Sequence, residues 1–299
     1  MKQRNCLCLA AAVLLVVLQL FLQHRAALVA AQNPVLAVQF STPITAQQLS
    51  AAREWEQSPA NTQGICATYW GNTTASVATE LGRAADGVTC IGFNGNAADC
   101  LPMRYRQGTA PGAVGQQCAV STGLAWALFG SYDVVGQAVT LPGGSYSISG
   151  VFDADGNHLL YPAQGGFTCA GLRGVSTDAP KAEALQWAAA AGVGTVQGID
   201  YGPQKVWLAR VLCFVPAVCA GLGLLAMLLG FARRLPGPLR GAVYFVLALA
   251  FALALPQLLR SLPGWLIPGR WSDFEFWKNL VRQIAAAEPT GEGFVKVGG

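Results

Sequence analysis

From Val206 to Ala232 the chain carries a single charge, Arg210, and no other stretch limits its folding choices so tightly. At 1.5 Å of rise per residue, a helical run of this length crosses a hydrocarbon layer of about 30 Å with some tilt. Pro216 is placed to kink such a helix. Gly221 and Gly223 leave room for close packing against another helix, although glycine is common in membrane helices generally.

Two further apolar runs accompany it. A tight loop, Arg233-Arg234-Leu235-Pro236-Gly237-Pro238-Leu239-Arg240, holds three arginines and no acid, and Gly241–Leu259 follows as another span with Pro256 near its end. At the other end of the chain, Lys2 and Arg4 precede an apolar run from Leu7 to Leu22. Two readings of that run compete. Val29-Ala30-Ala31 offers the small residues of a signal-peptidase site, but Gln23, His24 and Arg25 make the approach to it polar. The run reaches about 20 residues if its flanks snorkel, which suits a retained anchor and favours that reading. Cys6 and Cys8 lack a lipoprotein-type cleavage pattern and read as small packing residues. Composition agrees with a membrane protein: 53% of residues are hydrophobic and only 11% charged, against roughly a quarter charged in soluble domains.

Basic residues flanking spans tend to stay cytoplasmic. Lys2, Arg4 and the topology arginines Arg233, Arg234 and Arg240 agree if the N-terminus is cytoplasmic and the long middle segment lies outside. Arg25, Lys205, Arg210, Arg260 and Arg270 dissent. The expected organisation is therefore a multi-pass protein of the cell membrane. It has an anchor over residues 1–31, an extracytoplasmic domain over 32–205, spans at 206–232 and 241–259 joined by a cytoplasmic loop at 233–240, and an extracytoplasmic tail at 260–299. In that tail Ser272-Asp273-Phe274-Glu275 reads as a capping box ahead of an apolar stripe, Phe276, Trp277, Leu280, Val281 and Ile284. With Trp265 and Trp271 nearby, the helix suits the outer membrane interface, or equally a docking position on the extracytoplasmic domain.

The middle segment, Gln32 to Lys205, holds seven Lys/Arg against eleven Asp/Glu, a balance of −4 in a chain of +4 overall. A basic nucleic-acid footprint is thus absent where the soluble mass lies. Leu36–Phe40 alternates as a strand, Thr45–Trp55 places Leu49, Ala52 and Trp55 on one helical face, Gly64–Trp70 reads as a strand, and Ser76–Arg83 as helical. This β-α-β-α order predicts a mixed α/β (α+β) domain inserted between transmembrane helices. Gly166–Leu172 is a further strand, and Pro180–Ala191 a helix with Asp178 as its N-cap. No internal repeat or low-complexity linker interrupts the segment.

Chemistry-bearing motifs are scarce. No P-loop pattern occurs, so the chain is not itself a P-loop ATPase. Only His24 and His158 could serve a Ser-His-acid arrangement, one at a membrane flank and the other in a turn. Asp153-Ala154-Asp155-Gly156-Asn157 resembles the start of a calcium loop without the downstream glutamate, and a polar turn explains it better. Asn72-Thr73-Thr74 matches a glycosylation acceptor, a pattern frequent by chance. Five cysteines, Cys66, Cys90, Cys100, Cys118 and Cys169, lie in the middle segment without zinc spacing. Cys90 and Cys100 flank the turn Asn94-Gly95-Asn96 and form a candidate disulfide; small buried thiols are the alternative.

The stretch Cys118–Phe152 reads as a small scaffold. Ser121 or Thr122 caps a helix whose apolar residues Leu124, Ala125, Leu128 and Phe129 recur at helical spacing, and Gly130 ends it in the left-handed conformation. Gln137–Leu141 and Tyr146–Phe152 follow as strands joined by Pro142-Gly143-Gly144. Ser121-Thr122-Gly123-Leu124-Ala125-Trp126-Ala127-Leu128-Phe129-Gly130, then Asp133-Val134-Val135-Gly136, then Tyr146 to Gly150-Val151, resembles the extracytoplasmic core of MacB/FtsX/LolC-type ABC transporter permeases. Pro111-Gly112 and the Leu36–Phe40 strand fit less specifically.

That resemblance implies an extracytoplasmic domain following the first membrane helix, with no catalytic group and no cofactor. It also implies a partner, a cytoplasmic ABC ATPase subunit whose motion is passed across the bilayer to the domain. Members of this bacterial family serve export, lipoprotein release or activation of cell-wall hydrolases in the cell envelope. They usually carry four spans; this sequence provides three. The expectation is a non-catalytic, permease-like subunit working with an ATPase and with a full-length permease. The alternative is a membrane-anchored extracellular binding module with no ATPase partner.

Overall fold

A computed structural model of the chain describes residues 2–100, 103–176, 179–233, 236–260, 266 and 274–286. It divides into two compact units, one of Met1–Ala31 with Gln204–Lys278 and one of Gln32–Pro203 with Asn279–Gly299.

The opening elements are helix α1 (Lys2–Gln32), strand β1 (Leu36–Ile44), helix α2 (Ala46–Gln57), and strands β2 (Cys66–Thr79) and β3 (Ala84–Asn94). Helix α3 (Ala97–Cys100), strands β4 (Tyr105–Gly108) and β5 (Gln117–Ser121), helix α4 (Thr122–Phe129), and strands β6 (Ala138–Leu141) and β7 (Gly144–Phe152) follow. The domain closes with β8 (His158–Pro162), β9 (Phe167–Arg173), α5 (Pro180–Ala191) and β10 (Val196–Asp200). Beyond it come α6 (Gly202–Leu212), α7 (Val215–Ala232), α8 (Gly237–Arg260) and α9 (Phe274–Ala286).

The domain is a mixed α/β fold on one sheet, in the order β10-β1-β9-β2-β3-β8-β5-β7-β4. The short strand β6 pairs with both β2 and β7, so β2-β3-β8-β5-β7-β6 form a closed circuit. Strand β2 belongs to both halves. Its first part, Cys66–Trp70, pairs with β9 in the open wing, and Ala78 and Thr79 pair with β6 in the circuit. A register shift between Ala75 and Val77 marks the bend, as an extra residue sharpens local twist.

Helices α2 and α5 cover the open wing. Thr45 caps α2 in a reciprocal box with Gln48, and Leu49 and Ala52 face inward. Trp187 of α5 is buried between Phe40 and Tyr69, with ring centroids 6.4 and 6.3 Å away. A second apolar cluster fills the circuit, including Val77, Val88, Cys90, Cys118, Val120, Leu124, Leu128, Val139 and Leu159.

Several expectations need correction. Ser76–Arg83 is not helical: it is the end of β2 and a tight turn into β3. Val77 and Thr79 are buried while Ser76 and Glu80 are exposed, the alternation of a strand. Gly82, at φ 77°, supplies the left-handed residue of the turn, and Thr79 N–H donates to Arg83 O across it at 2.8 Å. The order is therefore β-α-β-β. Helix α5 spans Pro180–Ala191, but Ala179 stands at its N-cap without a side-chain bond; Asp178 lies outside the described residues.

In the other unit, the run 206–232 is interrupted at Cys213 and Phe214, whose N–H groups turn tightly back onto Arg210 and Val211. Pro216 causes this. It has no N–H for the Leu212 carbonyl, and its ring collides with a continuous helix there. Among the described residues, two segments are long and apolar enough to cross a membrane, Leu14–Gln32 and Gly202–Ala232. Helix α8 covers the third expected span, yet its described apolar stretch, Gly237–Leu249, is shorter. Arg240 sits in the first turn of α8, not in a loop, and Arg233 follows α7; Arg234 lies outside the described residues. So do Ser272, Asp273, Trp265 and Trp271.

Candidate functional site

The stretch from Ser121 to Gly150 is bound into the domain by backbone contacts its sequence only half announces. Ser121 caps α4: its hydroxyl accepts from Leu124 N–H at 3.1 Å. The same oxygen accepts from His158 N–H at 3.0 Å and donates to the Gly156 carbonyl at 2.7 Å. Thr122 repeats the tie one residue on, donating to Ala154 O at 3.0 Å and accepting from Ala154 N–H at 3.3 Å. Asp153–Asn157 is thus a turn clamped to the start of α4, and among the described residues no group of three His, Cys, Asp or Glu could hold a metal.

Behind the cap, Leu124, Ala125 and Leu128 are fully buried and Phe129 packs against the same cluster. Gly130 closes the helix at φ 67°, its N–H bonded to Trp126 O. Gly136 donates to Ile148 O at 2.8 Å, holding the spacer against the hairpin. Gly150 sits where a Cβ would lie 2.4 Å from Thr109 O, so its bareness lets β4 and β7 close up. Each of the eight motif residues is engaged in core packing, a backbone hydrogen bond or a close backbone approach.

The outer face of α4 carries a feature the motif left unassigned. Trp126 is 58% exposed and stacks on Tyr132 at 5.4 Å, and the Arg106 guanidinium lies 4.4 Å from the Tyr132 centroid. This Arg–Tyr–Trp cluster is an amphipathic surface able to take a flat or apolar partner. The signal was available: Trp126 falls off the stripe formed by Leu124, Ala125 and Leu128, and a large aromatic turned away from its core is informative.

The structure does not bring Cys90 and Cys100 together. Val88 and Cys90 point from β3 into the circuit, whereas Ile91 and Phe93 serve a separate cluster on the other face, where Cys100 packs. The Cys100 thiol donates to Ala97 O at 3.2 Å. Burial pushes the Cys90 thiol up to about 11, and burial, with Cys90 nearby, pushes Cys118 up to about 12. Cys169 rises to about 12 for the same cause. All three thiols are buried in the apolar clusters of the domain. His158 opens β8, and burial lowers its pKa.

Two polar nodes brace the sheet elsewhere. Arg53 donates to Ala67 O, Asn94 O, Asn94 Oδ1 and Glu56 at 2.7 to 3.0 Å, and lies 5.0 Å over the Tyr69 ring. Glu56 is nevertheless raised, because burial outweighs its arginine. Asp99, nearly inaccessible, pairs with Arg173 and accepts from Thr68 Oγ1 at 3.1 Å. These charges are tied to backbone and to each other, as structural networks are.

Two solved structures are similar to part of this chain. One is the extracellular domain of the noncanonic ABC-type transporter YknZ from Gram-positive bacteria. It is 13% identical, covers 55% of this chain and 99% of its own, and gives a TM-score of 0.43. The other is the periplasmic region of MacB from Actinobacillus actinomycetemcomitans, 10% identical over 58% of this chain and 91% of its own, TM-score 0.45. No family model and no curated protein matches the chain.

Proposed function

We propose that the chain is a non-catalytic, permease-like membrane subunit that passes displacement between its apolar helices and an extracytoplasmic domain, with a cytoplasmic ATPase subunit as motor and a full-length permease beside it. The root of the domain carries this reading. Its first strand, β1, pairs antiparallel with its last, β10, from Ala37 opposite Asp200 to Phe40 opposite Val196. The backbone is so close at this point that a Cβ at Gly202 would lie 2.4 Å from Val35 O. The chain enters and leaves the domain at one place, and β1 is held on its other side by β9. A pull on either flank loads the sheet itself, as a lever requires. In this reading the N-terminus is cytoplasmic and three segments span the membrane.

The test is affinity purification of the full chain in several mild detergents. Recovery of an ABC-type ATPase is expected; recovery of none in any detergent overturns the proposal.

The exposed Trp126–Tyr132–Arg106 stack supports a second reading, a membrane-anchored binding module without a motor. It predicts that Trp126→Ala abolishes capture of a cell-envelope component in a preparation that contains no ATPase.

A further inference from the structure

The large side chains of helix α9 divide between two arcs of its circumference. At 100° per residue, Phe276, Leu280, Ile284, Trp277 and Val281 share one arc, while Glu275, Lys278, Asn279, Arg282 and Gln283 occupy the other. Glu275, Lys278, Asn279 and Arg282 are exposed, as a water-facing arc requires. On the apolar arc Trp277 is 43% exposed, and its ring contact comes from Phe276 of the same helix, edge to face at 5.3 Å. The buried helices of the domain behave differently: Trp187 of α5 is 1% exposed and sits between rings from two strands. With 13 residues, α9 is about 20 Å long, too short to cross a bilayer. Helix α7, in contrast, is apolar around its whole circumference.

We infer that α9 lies in the plane of an anionic bilayer surface, with the Trp277 ring below the headgroups. Three features select lipid over protein as the occupant. The polar arc carries Lys278 and Arg282 against one acid, Glu275, which complements anionic headgroups. Both cations have long apolar stems, so their charges reach the headgroups while the stems lie along the apolar face. An indole at the arc's centre suits the headgroup boundary, where its ring is apolar and its N–H meets water.

The experiment uses the full chain, one copy per nanodisc containing phosphatidylglycerol, with fluorotryptophan at all tryptophans. Trp277→Phe identifies the Trp277 fluorine resonance by its loss. Expected is strong broadening of that resonance by a lipid nitroxide near the headgroup, weaker broadening by a nitroxide at the chain end, and little by a water-soluble relaxation agent. Broadening by neither lipid label overturns the inference, with a shielded ring pointing to docking on the protein and a water-accessible ring to no partner. The paired reversal Lys278→Glu with Arg282→Glu separates the charge contribution. Reduced headgroup broadening supports the anionic surface, and unchanged broadening overturns it.

Discussion

Gln39 of β1 and Gly198 of β10 face each other so closely that a Cβ at position 198 would lie 3.7 Å from that of Gln39. That separation matches the spacing of bonded cysteines. The double variant Gln39→Cys with Gly198→Cys is expected to form a disulfide under mild oxidation, detected by mass spectrometry of the linked peptides. If the root moves as one body, the locked protein keeps any partner-ATPase coupling. Loss of coupling on oxidation, restored by reductant, would show that the root has to open.

Ser121 serves α4, His158 and Gly156 through one oxygen. Ser121→Ala removes a helix cap and leaves a donor and an acceptor unpaired at a buried site. A loss of roughly 2–3 kcal/mol is expected in denaturant unfolding of the full chain. A loss within experimental error would show that the tie between α4 and the β7–β8 turn is dispensable.

Two glycines of the motif should respond unequally to alanine. At Gly123 a Cβ would lie 2.4 Å from Gly156 O, a backbone atom with nowhere to go. Gly123→Ala should cost about 2–3 kcal/mol as overpacking. At Gly130 the space is open and only the left-handed backbone objects, so Gly130→Ala should cost about 1 kcal/mol. Thermal unfolding of the pair tests the order, and a reversed order contradicts the packing described.

Burial lowers the pKa of His158 in the folded chain, so the unfolded chain binds its proton more readily. Stability from this group is present above the unfolded value of 6.5 and declines as pH falls below it. Glu56, raised by burial, acts with the opposite sign near its own lower range, where acidification relieves a cost. Unfolding midpoints between pH 7 and pH 5 should therefore fall less in His158→Gln than in the parent. Parallel curves would exclude His158 as the source.

Cys66 is exposed, whereas Cys90, Cys118 and Cys169 are buried. If the domain is extracytoplasmic, a membrane-impermeant maleimide applied to intact cells should label Cys66, with the buried three reacting only after denaturation. Absence of Cys66 label on cells, with normal labelling after lysis, would place the domain inside.

Local chemistry made much of the domain legible. Helix α4 could be read from a capping serine, an apolar stripe and a terminal glycine. The β6–β7 hairpin followed from Pro142-Gly143-Gly144, because these signals act within a few residues. Ser76–Arg83 lacks a strong period: Ser76, Val77, Ala78 and Thr79 suit a strand as readily as a helical turn, and only β3 and β6 beside them settle the matter. Cys90 and Cys100 are near in sequence, yet the pleat of β3 sends Cys90 to one face and the chain beyond Phe93 to the other.

The two kinds of information divide by range. Apolar segments, helix caps and turns depend on neighbours along the chain, and residue identity suffices to read them. The closing of a circuit through β6, the threefold use of the Ser121 hydroxyl and the seating of Arg106 over Tyr132 depend on segments separated in sequence. Which of those segments meet is set by the packing of the whole domain, and no local pattern encodes it.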